Sequence, residues 1–456
     1  MRAIVALAVI LSIARSSPTA AFALERWYGE RIAHGGIMLH LGAETFAARD
    51  SWSGGLGWLG AFADYAVSLG GRAATLLATM GGALVMLALV EERARRAAGA
   101  LVALGAVLLV TACSIDGLRP GGGLESAVFA AALALLLERP GPRAALLATG
   151  IAIVWCNTGP QGLFASAIAL AFAAGAVIER RDISQRYWAI VAFAGAAVAT
   201  LATPAFFSYP ALAFEGLRID RAFQGLVAFH PSEVAPLAYR AGFMLIVFVA
   251  LIAGAPRRAA GEAILVCFAT LLALANGAYL PVFAVLVAPS LARSVASSWP
   301  RLSAMRLGWT KLVALGTICV LAVAMLAGAA TTGLRPVSAA SEIAPLVQLL
   351  DRDGRTHRLY CATPDWCGEA IAAGAPGVSV LMDGRIYAYP FEVRAMQLRI
   401  TALKAHWRRD LSLERIDALL LRRDRAMATL MAATPGWRVA GSSATATLFE
   451  RTGAAP

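Results

Sequence analysis

Charged residues are scarce in this sequence. Only 15% of its 456 residues are Asp, Glu, Lys or Arg, while 59% are hydrophobic. A soluble domain has about 25% charged and about 45–50% apolar residues. Six cysteines are too few for a disulfide framework, and the glycines and prolines follow no repeat, which excludes a collagen-like chain. The composition therefore predicts a polytopic α-helical membrane protein.

Lysine is almost absent, since Lys311 and Lys404 are the only two. The formal net charge of +12 comes from arginines scattered along the chain, and no dense basic run is interleaved with aromatic residues. This pattern argues against a nucleic-acid partner. A basic excess in a membrane protein is instead typical of cytoplasmic loops.

Apolar segments that could cross about 30 Å of hydrocarbon occur about eleven times. They cover residues 3–14, 73–90, 97–113, 124–137, 144–156, 163–178, 188–204, 241–255, 263–275, 280–292 and 312–329. We therefore predict a transmembrane helical domain over residues 73–330. Residues 1–23 end in Ala21-Phe22-Ala23 and are interpreted as either a signal peptide or the first transmembrane helix.

The loops between these segments alternate between short, arginine-bearing loops and loops that are neutral or mixed in charge. Placing the arginine loops in the cytoplasm satisfies the positive-inside rule at every crossing. The protein is then expected in the bacterial inner membrane, with its N-terminus cytoplasmic if the first helix is not cleaved. Residues 24–72 form the first periplasmic loop. Within it, 53–69 is predicted to be an interfacial helix or, alternatively, the start of the next span.

The last segment, residues 335–456, has the periodicity of a small α/β domain, expected on the periplasmic face. Strands are predicted at 357–361, 378–382 and 416–421, helices at 392–407 and 426–433, and a closing hairpin at 437–450. In an oxidising compartment Cys361 and Cys367 could form a disulfide. The alternative is two free thiols.

Common motifs of soluble enzymes are missing, including Walker A, HExxH and GxSxG. Candidate functional residues are therefore sought among ionisable groups at the membrane, where they are costly and usually functional. The first outer loop offers Glu25, Glu30, Glu44, Asp50 and Asp64, each of which could also be a solvated surface residue. Glu125 lies about one turn inside an apolar helix, where it either serves a site or pairs with Arg119 at the interface.

Several short motifs resemble those of bacterial GT-C-like membrane proteins, relatives of lipid-linked-sugar glycosyltransferases, in the same order along nearly the whole chain. They are Glu25-Arg26-Trp27-Tyr28, Trp52, Gly57-Trp58-Leu59, Arg119-Pro120, Trp155-Cys156-Asn157, Thr203-Pro204, Leu280-Pro281-Val282-Phe283, Asp365-Trp366-Cys367-Gly368, Met382-Asp383-Gly384-Arg385, Pro435-Gly436-Trp437 and Leu448-Phe449-Glu450-Arg451. The chain departs from the family at three polar positions: Glu25 replaces an Asp, Gly159 replaces a His, and Gly277-Ala278 replace an Arg.

The resemblance implies a GT-C-like fold and an inverting glycosyltransferase with weakened catalytic motifs. Its donor would be a polyprenyl-phosphate sugar embedded in the membrane, and its acceptor would be an envelope glycan or protein. Glu25 is expected to be the base, with Asp50 as competitor or partner. Arg119, Glu125 and Asn157 are expected to bind substrate, and an arginine or a divalent metal would offset the phosphate charge.

The alternative is a non-catalytic GT-C-like protein that binds lipid-linked glycan or scaffolds envelope enzymes. Asp383 and Arg385 are expected to form an ion pair that fixes a turn in the tail rather than to act in chemistry.

Overall fold

The computed structural model of the chain describes most of its residues. These are 6, 9–10, 13, 19–47, 51, 53–114, 118, 120–121, 123–215, 260–275, 279–301, 339–375 and 377–452. Asp50, Arg119 and the predicted spans 241–255 and 312–329 lie outside them, as does most of the span 3–14.

The chain divides into two compact units. The first, here called the helical unit, consists of Met1–Ser16, Gly70–Phe207 and Pro231–Arg335. The second, called the α/β unit, consists of Ser17–Leu69, Ser208–His230 and Pro336–Pro456.

The described residues form fifteen α-helices and five strands, numbered in chain order. The helices are α1 (Ala20–Gly35), α2 (Trp58–Ser68), α3 (Gly71–Ala97), α4 (Ala100–Cys113), α5 (Leu124–Leu137), α6 (Pro142–Thr158), α7 (Leu163–Ile178), α8 (Ile183–Ala199), α9 (Ala260–Ala275), α10 (Leu280–Ser298), α11 (Ala339–Val347), α12 (Pro364–Ala372), α13 (Phe391–Thr401), α14 (Trp407–Leu413) and α15 (Ala426–Ala432). The strands are β1 (His357–Cys361), β2 (Val378–Val380), β3 (Ala418–Arg422), β4 (Trp437–Ser442) and β5 (Ala446–Arg451).

Helices α3 to α10 belong to the helical unit and overlap eight of the predicted spans. The stretches Gly71–Ala97, Pro160–Ile178 and Leu280–Ser298 are long and apolar enough to cross a membrane. Apolar stretches in α4, α5 and α9 are shorter. The total of about eleven spans stays a prediction.

Small residues allow the helices of this unit to approach closely. A Cβ atom on Gly175 of α7 would lie 2.4 Å from the Cα of Gly261 on α9, so neither position tolerates a side chain without movement. Such contacts between small residues are a common basis for helix association in membranes, where burial of apolar surface gives no net drive.

A buried arginine compensates for a proline within α10. Pro289 has no N–H, so the carbonyl of Val285 one turn earlier lacks its usual helical donor. Nη1 of Arg93 lies 3.4 Å from that carbonyl oxygen, and its Nε donates to Glu138 Oε1 at 2.8 Å. The Arg93 side chain is only 3% exposed, so its charge is matched by a carboxylate and a carbonyl inside the protein.

We expect Arg93→Met to destabilise the protein by about 3 kcal/mol, because it leaves the Glu138 carboxylate and the Val285 carbonyl without this donor. In a Pro289→Ala background the same change should cost about 1 kcal/mol less, because the alanine backbone supplies the missing N–H. Thermal unfolding of the full chain in detergent measures the four variants of the cycle, with exposed Arg95→Met as control. An equal cost in both backgrounds would contradict the proposed compensation.

The α/β unit contains a five-stranded sheet in the order β2-β1-β3-β5-β4. Strand β1 pairs in parallel with β2 and β3, while β5 pairs antiparallel with β3 and β4. The first loop covers the β2 edge: Phe46 N–H donates to Val380 O at 3.0 Å, and Val380 N–H donates to Glu44 O at 2.8 Å. Covering an edge strand in this way removes its unpaired backbone groups from solvent.

Two apolar clusters form around this sheet. Trp366 of α12 and Leu346 of α11 belong to one cluster, and Val393 of α13 and Met427 of α15 belong to the other. The cysteines Cys361 and Cys367 form a disulfide that joins the end of β1 to α12, with Cα atoms 5.6 Å apart.

The predicted strands of the tail coincide closely with β1 to β5, but the helices differ. Helices α11 and α12 were not predicted, and the predicted helix 392–407 ends earlier, at Thr401 of α13, while the separate helix α14 begins only at Trp407. Between them Leu403 and His406 take positive φ angles of 50° and 72°, which a continuous α-helix does not allow.

Glu369 of α12 is an unusual member of this core. It is 3% exposed, and in the described part of the chain neither of its carboxyl oxygens has a hydrogen-bond partner. Burial, with a further contribution from the charge of Glu342, raises the pKa of Glu369 to about 8. The side chain is therefore largely protonated at neutral pH.

Because the folded pKa exceeds the ordinary value of 4.5, Glu369 favours folding fully below about pH 4.5. That contribution is lost as pH rises to about 8. Glu369→Gln should remove this loss and make the protein more stable than wild type above pH 8, by on the order of 3 kcal/mol. Thermal unfolding from pH 5 to 9 checks this, with exposed Glu392→Gln as control. A Glu369→Gln variant with the wild-type pH slope would contradict it.

Candidate functional site

The first outer loop brings two carboxyl groups together because α1 and α2 approach closely. A Cβ atom on Gly29 would lie 2.1 Å from the Ala61 carbonyl oxygen, so glycine is required at this crossing. Glu25 is one turn before Gly29 on α1, and Asp64 is one turn after Ala61 on α2. Residues three or four apart share a helix face, so both carboxyl groups point to the same crossing.

Glu25 and Asp64 are joined by a side-chain hydrogen bond. Burial raises the pKa of Asp64 above its usual 3.8, and the hydrogen bond with Glu25 partly offsets this increase. A hydrogen bond between two carboxyl groups requires one of them to carry a proton. The pair therefore combines a proton donor with a carboxylate, the composition that general acid–base chemistry needs.

A buried arginine of the tail forms the second part of the site. Arg385 Nη2 lies 2.5 Å from Asp383 Oδ2 and 3.2 Å from Glu44 Oε1. Its guanidinium carbon is 5.6 Å from the centre of the Trp27 ring, within the range of a cation–π contact. Asp383 is completely buried. The Glu25-Arg26-Trp27-Tyr28 and Met382-Asp383-Gly384-Arg385 motifs, more than 300 residues apart, therefore meet in one cluster.

Two buried tyrosines lie within range of the charge of Arg385 and bind the backbone of the first loop. The Tyr28 hydroxyl donates to Met38 O, and the Tyr387 hydroxyl donates to Leu56 O, both at 3.2 Å. Burial raises the pKa of Tyr28 to about 12, although Arg385 opposes the change. Burial also raises the pKa of Tyr387, to which the charges of Asp383 and Glu25 contribute. Both phenols are thus neutral donors that hold the first loop in place.

The other predicted site residues are placed differently. Glu125 is an exposed residue in the first turn of α5, where the helix dipole favours an acid. Asn157 is buried in the helical unit, and its Nδ2 donates to Ile153 O at 2.8 Å and Ala202 O at 2.9 Å. Both amide hydrogens of Asn157 are used in these bonds. Asp50 and Arg119 lie outside the described residues, so their roles stay predictions.

Asp64 is the residue that the sequence reasoning did not connect to Glu25, since it was one of several first-loop acids. The signal that could have paired them is the spacing of Glu25 from Gly29, which marks the helix face on which another helix can approach.

Among the described residues, no group of three or more His, Cys, Asp or Glu side chains is arranged to hold a metal ion. Magnesium and calcium take about six or more oxygen ligands, whereas Glu25 and Asp64 bind each other. These residues do not fit a metal centre.

Comparison with known proteins finds solved structures with a similar fold but no matching sequence family. No family model and no curated protein matches the chain. The structure of ArnT from Cupriavidus metallidurans bound to undecaprenyl phosphate is similar at a TM-score of 0.56 with 12% identity, covering 100% of this chain and 98% of that one. The Archaeoglobus fulgidus oligosaccharyltransferase, in complex with Zn and sulfate, is similar at 0.54 with 11% identity, covering 92% and 68%.

The mycobacterial arabinofuranosyltransferase AftD matches at a TM-score of 0.47 with 14% identity over 98% of this chain, which spans about two fifths (41%) of AftD. The likeness to ArnT and to the oligosaccharyltransferase confirms the resemblance to GT-C glycosyltransferases at the level of the fold. With its apolar helices, the chain is a membrane protein of GT-C-like architecture.

We expect Arg385→Met to destabilise the α/β unit by about 3–5 kcal/mol, because it leaves the buried Asp383 carboxylate unpaired. Asp383→Asn in the same chain should restore part of this loss, because the unpaired charge is then removed. Thermal unfolding of the full chain measures both.

The matched control is Arg438→Met, whose partner is Glu450 and whose side chain is 65% exposed. Exposed ion pairs contribute less than about 1 kcal/mol. Equal losses for the Arg385 and Arg438 variants would show that burial does not set the strength of the Arg385 cluster.

Proposed function

We propose that the protein is an inverting membrane glycosyltransferase that moves a sugar from a polyprenyl-phosphate donor to an envelope acceptor on the periplasmic face. The observation that carries the proposal is the Glu25–Asp64 carboxyl pair, whose two side chains are half-buried and hydrogen-bonded to each other. The fold likeness to ArnT bound to undecaprenyl phosphate supports a lipid-linked donor.

In the proposed reaction the acceptor hydroxyl attacks the anomeric carbon of the donor sugar. The bond from that carbon to the phosphate oxygen breaks, and polyprenyl phosphate leaves with the electron pair. The hydroxyl proton passes to the carboxylate of the Glu25–Asp64 pair. We assign Glu25 as this base and Asp64 as its hydrogen-bonded partner, with which it shares one proton and which orients it. No step passes through a metal.

Charge on the departing phosphate also needs a counterion. Arg385 does not fill that role, because Asp383, Glu44 and Trp27 already surround it. It acts as a positioning residue that holds Trp27, two residues after Glu25. Arg119 is proposed for the phosphate and Asp50 as a further first-loop acid near the acceptor.

Replacement of the pair tests the proposal in a deletion strain with an envelope phenotype. Glu25→Gln should lower transfer at least 100-fold, the usual contribution of a general base, and so abolish complementation. Asp64→Asn should reduce transfer strongly, because the base then lacks its carboxyl partner. Glu30→Gln, an exposed acid on the same helix, should complement fully, and immunoblots confirm equal protein levels. Full complementation by both site variants would contradict catalysis and favour the non-catalytic alternative.

The pH dependence has a defined sign. Because the pKa of Asp64 is raised, the pair keeps its shared proton to a higher pH than an ordinary aspartate would. Its second proton is taken up only on strong acidification, because two carboxyl groups that share a proton titrate in two separate steps. Transfer by isolated membranes should therefore fall both at low pH, where the base is protonated, and at high pH, where the shared proton is lost. Glu30→Gln should leave this profile unchanged, and a rate that stays constant from about pH 3 to about pH 9 would contradict the assignment.

A further inference from the structure

A basic groove lies in the helical unit where the ends of α3 and α5 meet the start of α6. Its volume is about 470 Å³. The lining includes three arginines and three leucines: Arg96, Arg139, Arg143, Leu135, Leu136 and Leu147. No carboxylate is among the described residues that line it. The groove is separate from the Glu25–Asp64 pair, which belongs to the α/β unit.

The positive charge of this groove is not neutralised by its own loop. Glu138 directly precedes Arg139, but its carboxylate binds the buried Arg93 at 2.8 Å. Arg96 pairs with Glu92 along the exposed surface of α3 at 2.9 Å. Arg139 and Arg143 are exposed and have no acidic partner in the part of the chain that the structure describes. An anion is therefore the complementary occupant.

The start of α6 adds polar donors to the arginines. Gly141 precedes the helix without a side-chain cap, and Pro142 occupies its first turn. The first N–H groups of a helix lack internal acceptors and favour an anion. Arg143 is next in the same turn, so a phosphate here would meet a guanidinium and the helix end together.

The apolar part of the lining indicates which kind of anion fits. Leu147 of α6 is 55% exposed, and its neighbour Leu146 is 75% exposed. Exposed leucines that continue from a group of arginines match the boundary between an acyl chain and a charged headgroup. Basic pockets between transmembrane helices are a known form of anionic lipid site. A free phosphate ion would use the arginines and leave the leucines uncovered.

We propose that this groove binds the phosphate headgroup of an anionic phospholipid in the leaflet on the arginine-loop side. The arginines contact the phosphate, and the leucines contact the start of the acyl chains. The site is independent of the sugar-transfer proposal.

The test is native mass spectrometry of the full chain in detergent, titrated with dioleoyl phosphatidylglycerol. The Arg139→Gln/Arg143→Gln variant should bind this lipid about 30-fold more weakly than wild type, which corresponds to about 2 kcal/mol. The matched control is Arg180→Gln/Arg301→Gln. It removes two exposed arginines of the same loop type outside the groove and should bind as wild type does. Thermal unfolding of both variants shows that each is folded.

Two further arms distinguish the chemistry of the occupant. Dioleoyl phosphatidylcholine should bind far more weakly than phosphatidylglycerol, and millimolar inorganic phosphate should not displace the lipid. Equal binding of the two lipids would overturn the proposal of an anionic headgroup. Displacement by inorganic phosphate would identify a free-anion site instead of a lipid site. An equal loss in the control variant would show attraction by net charge and overturn the assignment to the groove.

Discussion

The α/β unit depends on one buried cation. Arg385 lies in a turn of the tail and contacts Asp383 beside it, Glu44 of the first loop and the Trp27 ring of α1. Removing a guanidinium from water is costly unless its donors and charge are matched. The partners of Arg385 come from three places in the chain, so its charge is fully paired only when the first loop packs against the tail. The pairing of Phe46 and Glu44 with Val380 at the sheet edge has the same effect.

This dependence explains how a carboxyl pair can be held in a loop. Glu25 sits on the same helix as Trp27, and that helix is fixed by Arg385 and by the close approach of Gly368 to Leu24. Asp64 is fixed by the crossing of α2 at Gly29. A functional pair must be positioned to within a fraction of an ångström by its surroundings. Here the surroundings are supplied by the tail, so its Asp383–Arg385 ion pair has a structural role, while the chemical role that we propose belongs to Glu25 and Asp64.

Local patterns of the sequence predicted much of the fold. Strand β3 is apolar from Ala418 to Leu421 and is flanked by Asp417 and Arg422, and the Asp383–Arg385 ion pair needs only residues two apart. Helix α12 was missed because Pro364 to Ile371 are all buried, so no alternation of polar and apolar faces marks it as a helix. The contacts of Arg385 with Glu44 and Trp27 could not be predicted, because they depend on tertiary packing across more than 300 residues. The Glu25–Asp64 pair depends in the same way on the helix crossing at Gly29.

Most described charges inside the helical unit have a partner of opposite charge, which makes the few without one easy to recognise. In the helical unit, Arg93 matches Glu138 and a carbonyl released by Pro289, while Arg293 and Ser290 match the buried Glu262. Such matching removes the cost of each buried charge and leaves nothing for a ligand to contribute. Arg139 and Arg143 remain unmatched because Arg93 has already taken the nearest carboxylate. The Arg93–Glu138 ion pair therefore has two effects: it stabilises the helix ends, and it leaves the neighbouring groove positively charged. The structural role of Arg93 and the binding role proposed for Arg139 thus have the same physical cause.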